Sequence, residues 1–190
     1  MKTIVKAVLG AAIAVFLAFA FTHLLMSLIG LDPETNALDD FGDMMLHSRS
    51  LFVERSEQFQ SAAAALQEQE GLTLLATSAG KPVSVSSGTA VPAAEVLSQF
   101  GIENSAELAE EIEQLFAGAE VSSVNSDGEE LTRGFCRVQR ISVRYWGVEF
   151  YTDFHEQGCV GILYAAEGGT PPYQLVELVE DWQLFYVMQE

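Results

Sequence analysis

Residues 7–31 read AVLGAAIAVFLAFAFTHLLMSLIGL, twenty-five residues without a charged side chain when His23 is neutral. A helix of that length rises about 37 Å, more than the ~30 Å hydrocarbon core of a bilayer requires. Lys2 and Lys6 precede it, whereas Asp32, Glu34, Asp39 and Asp40 follow it. Positive charge on the near side orients such a segment with its N-terminus in the cytoplasm. The expectation is an anchor over residues 1–31, with a cytoplasmic tip at 1–6 and an extracytoplasmic domain over 32–190. The protein would then be single-pass. A cleaved signal peptide is the rival reading, because Ala18-Phe19-Ala20 fits the small-x-small cleavage pattern loosely. The apolar run is longer than a usual signal core, which favours the anchor. Gly10, Ala14 and Ala18 recur every four residues, a stripe that suits helix–helix contact in a bilayer. An Ala-rich membrane helix with no partner carries the same spacing. His23 would lie within the membrane, where an ionisable group marks either function or a hydrogen bond to a neighbouring helix.

Charge narrows the classes of partner. The chain carries 27 acidic residues against 9 basic ones, a formal charge of −18. Lys2 and Lys6 account for two of the nine, leaving seven for the domain. Nucleic acid demands a basic footprint, so no nucleic-acid role is expected. Docking of the domain on anionic lipid is disfavoured for the same reason.

Past the anchor, Asp32-Pro33-Glu34 is a helix start, with Asp to cap and Pro at the first helical position. One long helix is expected over 32–71, ended by Gly71. Leu38, Phe41, Met45, Ser48, Phe52, Arg55, Phe59, Ala62 and Leu66 form its stripe, interrupted at Ser48 and Arg55. Residues 72–133 read as short mixed elements. Strands are expected at Leu72–Thr77 and Val83–Val85, and helices at Pro92–Phe100 and Ser105–Phe116. Gly80-Lys81 is no phosphate loop, since Leu75 replaces the earlier glycine and Pro82 the magnesium-binding hydroxyl. From 134 to 190 five β-rich runs are expected: Phe135–Tyr145, Val148–Phe154, Cys159–Tyr164, Tyr173–Val179 and Trp182–Met188. Short connections make them an antiparallel β-meander, and the class α+β.

The first hairpin can be read residue by residue. With Trp146-Gly147 as a two-residue turn, Tyr145 faces Val148, Val143 faces Phe150 and Ile141 faces Thr152. On the other face Arg144 meets Glu149, Ser142 meets Tyr151 and Arg140 meets Asp153. Two opposite-charge pairs support that register. They also make cross-strand ion pairs the plainer reading of Arg133, Arg137, Arg140 and Arg144, with an anion site as the alternative.

Candidate chemistry is sparse. Asp39, Asp43 and His47 stand four apart and share a helical face, a pattern able to hold a divalent metal ion if a further ligand arrives. The solvated start of an acidic helix has the same pattern. Cys136 and Cys159 are the only cysteines, and an oxidising compartment suggests one disulfide between them. In a meander, however, an intervening strand holds them apart. Outside the anchor the histidines are His47 and His155, and no serine or cysteine is marked as a nucleophile for either. No catalytic residue and no cofactor is therefore assigned.

Val148-Glu149-Phe150-Tyr151, Gly161-Ile162-Leu163-Tyr164, Glu180-Asp181-Trp182 and Phe185-Tyr186 resemble the close of small, uncharacterised bacterial membrane-anchored proteins. The resemblance spans the last ~50 residues and the general layout. It implies a bacterial α+β domain and no particular function, and with the anchor's orientation the expected location is the bacterial cytoplasmic membrane, the domain outside. The layout also resembles type IV pilin-like subunits, with two departures. Val15 stands where a pilin cut after Gly10 would have glutamate, and Asp32-Pro33 interrupts the long helix. The functional expectation is a membrane-anchored, non-enzymatic module presenting its domain to a protein partner. The alternatives are an anchored hydrolase or cation-dependent enzyme using Asp39, Asp43, His47 or His155, an acidic inhibitor or immunity-type protein, and pilin-like assembly.

Overall fold

Pro33 opens α1 (Pro33–Glu54), and after one residue the chain continues as α2 (Ser56–Leu66). The computed structural model describes residues 33–86, 89–124, 130–155, 158–166 and 168–188. The expected anchor, with Gly10, Ala14, Ala18 and His23, lies outside them. No helix among the described residues is long and apolar enough to cross a membrane. The chain divides into two compact units, Met1–Gly42 and Asp43–Glu190, and the second holds every described strand.

The single helix expected over 32–71 is instead two, kinked at Arg55, which takes φ −116° and ψ 26°. The ladder survives the kink: Arg55 N–H donates to the Leu51 carbonyl at 2.9 Å, and Phe59 N–H donates to the Arg55 carbonyl at 3.0 Å. After α2 come β1 (Thr73–Ala76), β2 (Pro82–Ser86), β3 (Thr89–Pro92), α3 (Ala93–Gln99) and α4 (Ser105–Ala117). Asn104 holds the cap position of α4, and its side chain makes no cap hydrogen bond. Then follow β4 (Ala119–Val124), β5 (Glu130–Cys136), β6 (Arg140–Arg144), β7 (Gly147–His155), β8 (Gly158–Ala165), β9 (Gln174–Val179) and β10 (Trp182–Met188). The class is α+β, with four helices and a large antiparallel sheet among the described residues.

Eight strands form that sheet in the order β3-β2-β1-β6-β7-β8-β10-β9, while β4 and β5 make a separate ribbon. The C-terminal strands are thus not a simple meander, because β10 inserts between β8 and β9. The long run expected at Phe135–Tyr145 is also divided. Its first residues pair with β4, and the rest crosses to the large sheet between β1 and β7.

The helices cover one face. Leu51, Phe52, Phe59, Ala62 and Leu66 of α1 and α2, with Leu97 of α3 and Ile112, Leu115 and Phe116 of α4, are buried there. They join Leu74, Ile141, Val143, Val148, Phe150, Ile162, Trp182 and Leu184 of the sheet in one core. Phe59 lies edge-on to Phe150, with ring centroids 5.0 Å apart, and Phe52 lies 4.9 Å from Trp182. Ser48, which interrupts the apolar stripe, is fully buried rather than turned to water. Its hydroxyl lies 2.7 Å from Thr152 Oγ1 and donates to the Met44 carbonyl, also at 2.7 Å. A buried hydroxyl is tolerated when it is paired in this way.

The β6–β7 hairpin turns at Tyr145-Trp146, and Gly147 pairs with Arg144 as the first residue of β7. Consequently Val143 faces Val148, Ile141 faces Phe150, Ser142 faces Glu149 and Arg140 faces Tyr151. The expected register is displaced by one residue on each strand. Gly147 explains the choice: its φ is +143°, and a Cβ there would lie 2.0 Å from the Tyr164 carbonyl oxygen. Only glycine lets β7 and β8 close at that point.

Candidate functional site

Period-two alternation along β7 sends Val148 and Phe150 into the helix-covered core and Glu149 and Tyr151 to the opposite face. On that face Tyr151, Leu163 and Phe185 form a second cluster, with Trp146, Cys159, Ala165, Tyr173 and Val187 packed against it. No described helix covers it. The segment between β8 and β9 folds over its rim instead: Ala166 N–H donates to the Trp146 carbonyl at 2.9 Å, and the Tyr173 ring stacks on Phe185 with centroids 5.2 Å apart.

Glu149 lies at the centre of this cluster with 0% of its surface exposed. Trp146 Nε1 donates to its Oε1 at 2.8 Å, and the Tyr151 hydroxyl donates to its Oε2 at 3.0 Å. Arg144 Nε stands 3.8 Å from the same Oε2, with half of the arginine side chain in solvent. A buried carboxylate is stable only when its oxygens are paired, and three groups serve this one. Tyr151 in turn lies 3.5 Å from the Tyr173 hydroxyl. Burial, then the hydrogen bond with Tyr173, then the charge of Glu149 push Tyr151 well above the usual phenol range. Tyr173 is raised too, chiefly by burial and then, in the same direction, by Glu149. Both phenols therefore stay protonated, and Tyr151 acts as a donor. The cluster orients side chains and ties the turn to the sheet; its carboxylate is closed to substrate.

Arg140 sits beside it. Its guanidinium carbon lies 3.7 Å from the Tyr151 ring centre and 4.8 Å from that of Phe154. The partner expected for it, Asp153, is displaced by a bulge between Tyr151 and Asp153 and pairs with Val160. Arg140 is thus held by aromatic faces rather than by a carboxylate, a favourable setting for a cation. Arg133 pairs with Glu130 at 3.0 Å on the exposed ribbon.

The remaining expected site residues are dispersed. The side chain of Asp39 lies outside the described residues, as does that of His155. Asp43 is exposed, while His47 is half-buried and turned to the ribbon. There His47 Nε2 lies 2.7 Å from Thr132 Oγ1. A Cβ on Gly134 would fall 2.8 Å from the His47 ring, so the glycine makes room for it. Among the described residues no group of three or more histidine, cysteine, aspartate or glutamate side chains is placed to hold a metal ion. Cys136 and Cys159 are both free thiols. The expected disulfide is absent because Cys136 lies opposite Ala119 in the ribbon, whereas Cys159 lies between Phe154 and Val187 in the large sheet. Burial, then the Asp153 charge, push the Cys136 thiol up to about 12. Cys159 is raised as well, by burial first, with Arg140 opposing.

A second surface lies at the sheet's edge. β9 is the last strand, and Leu175, Val176 and Val179 are 38%, 44% and 53% exposed on it. Leu175 faces Phe185 and Val176 faces Leu184, so these apolar side chains lie on opposite faces of the strand. Glu177, Glu180 and Asp181 are exposed among and beyond them. The opposite edge, β3, is four residues long and ends in Pro92, which runs directly into α3.

The exposed apolar side chains and edge position of β9 were missed in the sequence, where Tyr173–Val179 is an ordinary strand. The Glu149 cluster had one signal, a carboxylate set between the apolar Val148 and Phe150. No protein-family model matches this chain, and neither does any curated protein or solved structure.

Proposed function

We propose that this protein is a single-pass, membrane-anchored accessory module that presents its acidic domain outside a bacterial cytoplasmic membrane and acts by binding a protein partner. The apolar run at 7–31, with Lys2 and Lys6 before it and four carboxylates soon after it, supports the anchor and its orientation. The observation that carries the binding reading is β9: a six-residue edge strand with apolar side chains exposed on both faces. Exposed, unshielded edges are a liability that proteins cover or blunt unless they are used.

The test is photo-cross-linking of the full-length protein in its own membrane. A cross-linker in place of Val176 is expected to capture one stoichiometric protein, and one in place of exposed Glu68, in the turn after α2, is expected to capture none. Capture is expected to persist when residues 7–31 are exchanged for an unrelated membrane helix. Capture of nothing from Val176, or turnover of a substrate by the full chain, would overturn the reading.

A further inference from the structure

We infer that β9 receives an extended, cationic segment of another protein, which adds to the sheet as a further antiparallel or parallel strand beside Gln174–Val179. The inference rests on the interaction-module reading above and names the partner's chemistry and its mode of docking.

Three observations lead there. The first is the backbone. β9 pairs with β10 on one side, and among the described residues no strand pairs with it on the other. A row of N–H and C=O groups on that side is available to a new strand, the usual source of affinity in strand addition. Among the described residues no strand covers the free edge of β9, whereas β3 is short and closed by a proline that has no N–H to donate.

The second observation is the side-chain pattern. Leu175 and Glu177 lie on one face of the strand, since they oppose Phe185 and Gln183; Val176 opposes Leu184 on the other. A segment laid alongside would meet apolar contacts flanking a carboxylate. It would match them with Val, Ile or Leu set among Lys or Arg, because cross-strand pairs of opposite charge and of apolar groups stabilise a sheet.

The third observation is charge. From Tyr145 to Glu190 the chain contains no lysine or arginine. The exposed carboxylates of Glu177, Glu180 and Asp181 at this end are therefore met by no cation from the strands β7 to β10 that form it. That field attracts a basic segment and speeds its encounter. It also excludes a second copy of the chain as the occupant. Two β9 strands side by side would bring together two strand ends whose charged side chains are all carboxylates, Glu177, Glu180 and Asp181, with no cation to offset their repulsion.

The experiment uses the full-length protein in detergent micelles and three fluorescein-labelled hexapeptides read by anisotropy. One alternates Lys and Val, one alternates Glu and Val, and the third is the Lys-Val peptide with every second backbone nitrogen methylated. The Lys-Val peptide is expected to bind at least about tenfold more tightly than either of the others, the scale of one lost charge-assisted contact or backbone pair. Glu177→Lys is expected to weaken it by about tenfold, and Glu107→Lys, an equal charge change on exposed α4, by less than about twofold. Methylation without effect would show charge attraction without strand addition and overturn the inference. Equal losses from Glu177→Lys and Glu107→Lys would overturn it too. The two proposals fail separately: a partner captured from Val176 whose binding is unchanged by Glu177→Lys removes the cationic strand and leaves the module. If neither peptide nor partner binds, both fall.

Discussion

On β7, Val148 and Phe150 go under four helices, while Glu149 and Tyr151, one residue away in each case, go to the face those helices leave bare. The helix-covered face is filled by hydrocarbon and aromatic rings, with Phe59, Phe150 and Trp182 in mutual contact. Close packing specifies it, so it should respond to volume. The bare face is specified differently. Its centre is a carboxylate with no exposed surface, joined to an indole, a phenol and a guanidinium. It should respond to the loss of a partner more than to the loss of a methylene. One strand therefore carries two kinds of stabilisation, separated by the two-residue period of its side chains.

The largest expected effect falls on the packed face. Phe150→Ala should cost about 3–5 kcal/mol, because the ring is fully buried and its neighbours cannot close the gap. Urea unfolding of the variant measures it. Phe59→Ala in the same background should add less than its own single cost, since the two rings touch. Full additivity would break the description of this face as one packed unit.

Next comes Glu149→Ala, expected to cost about 2–4 kcal/mol through the buried donors of Trp146 and Tyr151 that it leaves unpaired. Glu149→Gln keeps an acceptor and should cost less. Trp146→Phe removes one donor and should cost about 1 kcal/mol from the hydrogen bond itself. If Glu149→Ala and Trp146→Phe cost the same, the carboxylate is not the centre of the bare face, and the comparison loses its second term.

Alkaline pH separates the faces further. Cys136 is raised from 9.0 to about 12 by burial first, so the folded state holds a neutral thiol where the unfolded chain ionises. The sign follows: the contribution is fully present below pH 9 and is lost as pH rises toward 12. Tyr151, raised from 10.0 chiefly by burial, acts in the same direction from pH 10 upward. Stability measured by denaturant should therefore fall above pH 9, less steeply in Cys136→Ala. An unchanged slope would mean that the thiol is not held neutral. In native protein a thiol reagent should modify the half-buried Cys159 before the buried Cys136.

Much of this contrast was legible before any coordinates. The limits of β10 match the expected Trp182–Met188, and β7 and β8 begin and end within one residue of expectation. Local alternation decides such strands. The displaced hairpin register shows why the faces survived an error in the partners: moving each strand by one residue changes a residue's partner by two, so inward residues stay inward. What alternation cannot specify is sheet order. The Glu180-Asp181 turn joins β9 to β10 as neighbours, but the longer connection after β8 lets β9 skip a place. β3 and β4 were missed because Thr89-Ala90-Val91-Pro92 is short and Ala119–Val124 is half polar. For the site, Glu149 read as an exposed ion-pair member, since nothing in the sequence places the Trp146 and Tyr173 rings over it. Asp39 and Asp43 with His47 matched a metal pattern because spacing reports a shared face and not what faces it. The imidazole in fact lies against Thr132 and Gly134 of the ribbon.

The smallest effect tests whether the packed face is purely one of volume. Ser48 and Thr152 are buried in it, their hydroxyls 2.7 Å apart, and the Val160 carbonyl, 3.2 Å from Thr152 Oγ1, is an alternative acceptor for the single threonine proton. Ser48 keeps a second partner in Met44, so Ser48→Ala should cost about 1 kcal/mol, near the net value of one hydrogen bond. Thr152→Val, which preserves shape and removes the hydroxyl, should cost a similar amount. The double variant should cost less than the sum, because removing both ends leaves no orphaned polar atom at the shared bond. A coupling of about 0.5–1 kcal/mol would place one polar pair inside the apolar layer as part of what fixes α1 on the sheet. Strict additivity would mean that each hydroxyl is satisfied by its backbone partner alone, leaving α1 positioned by packing, as the rest of that face is.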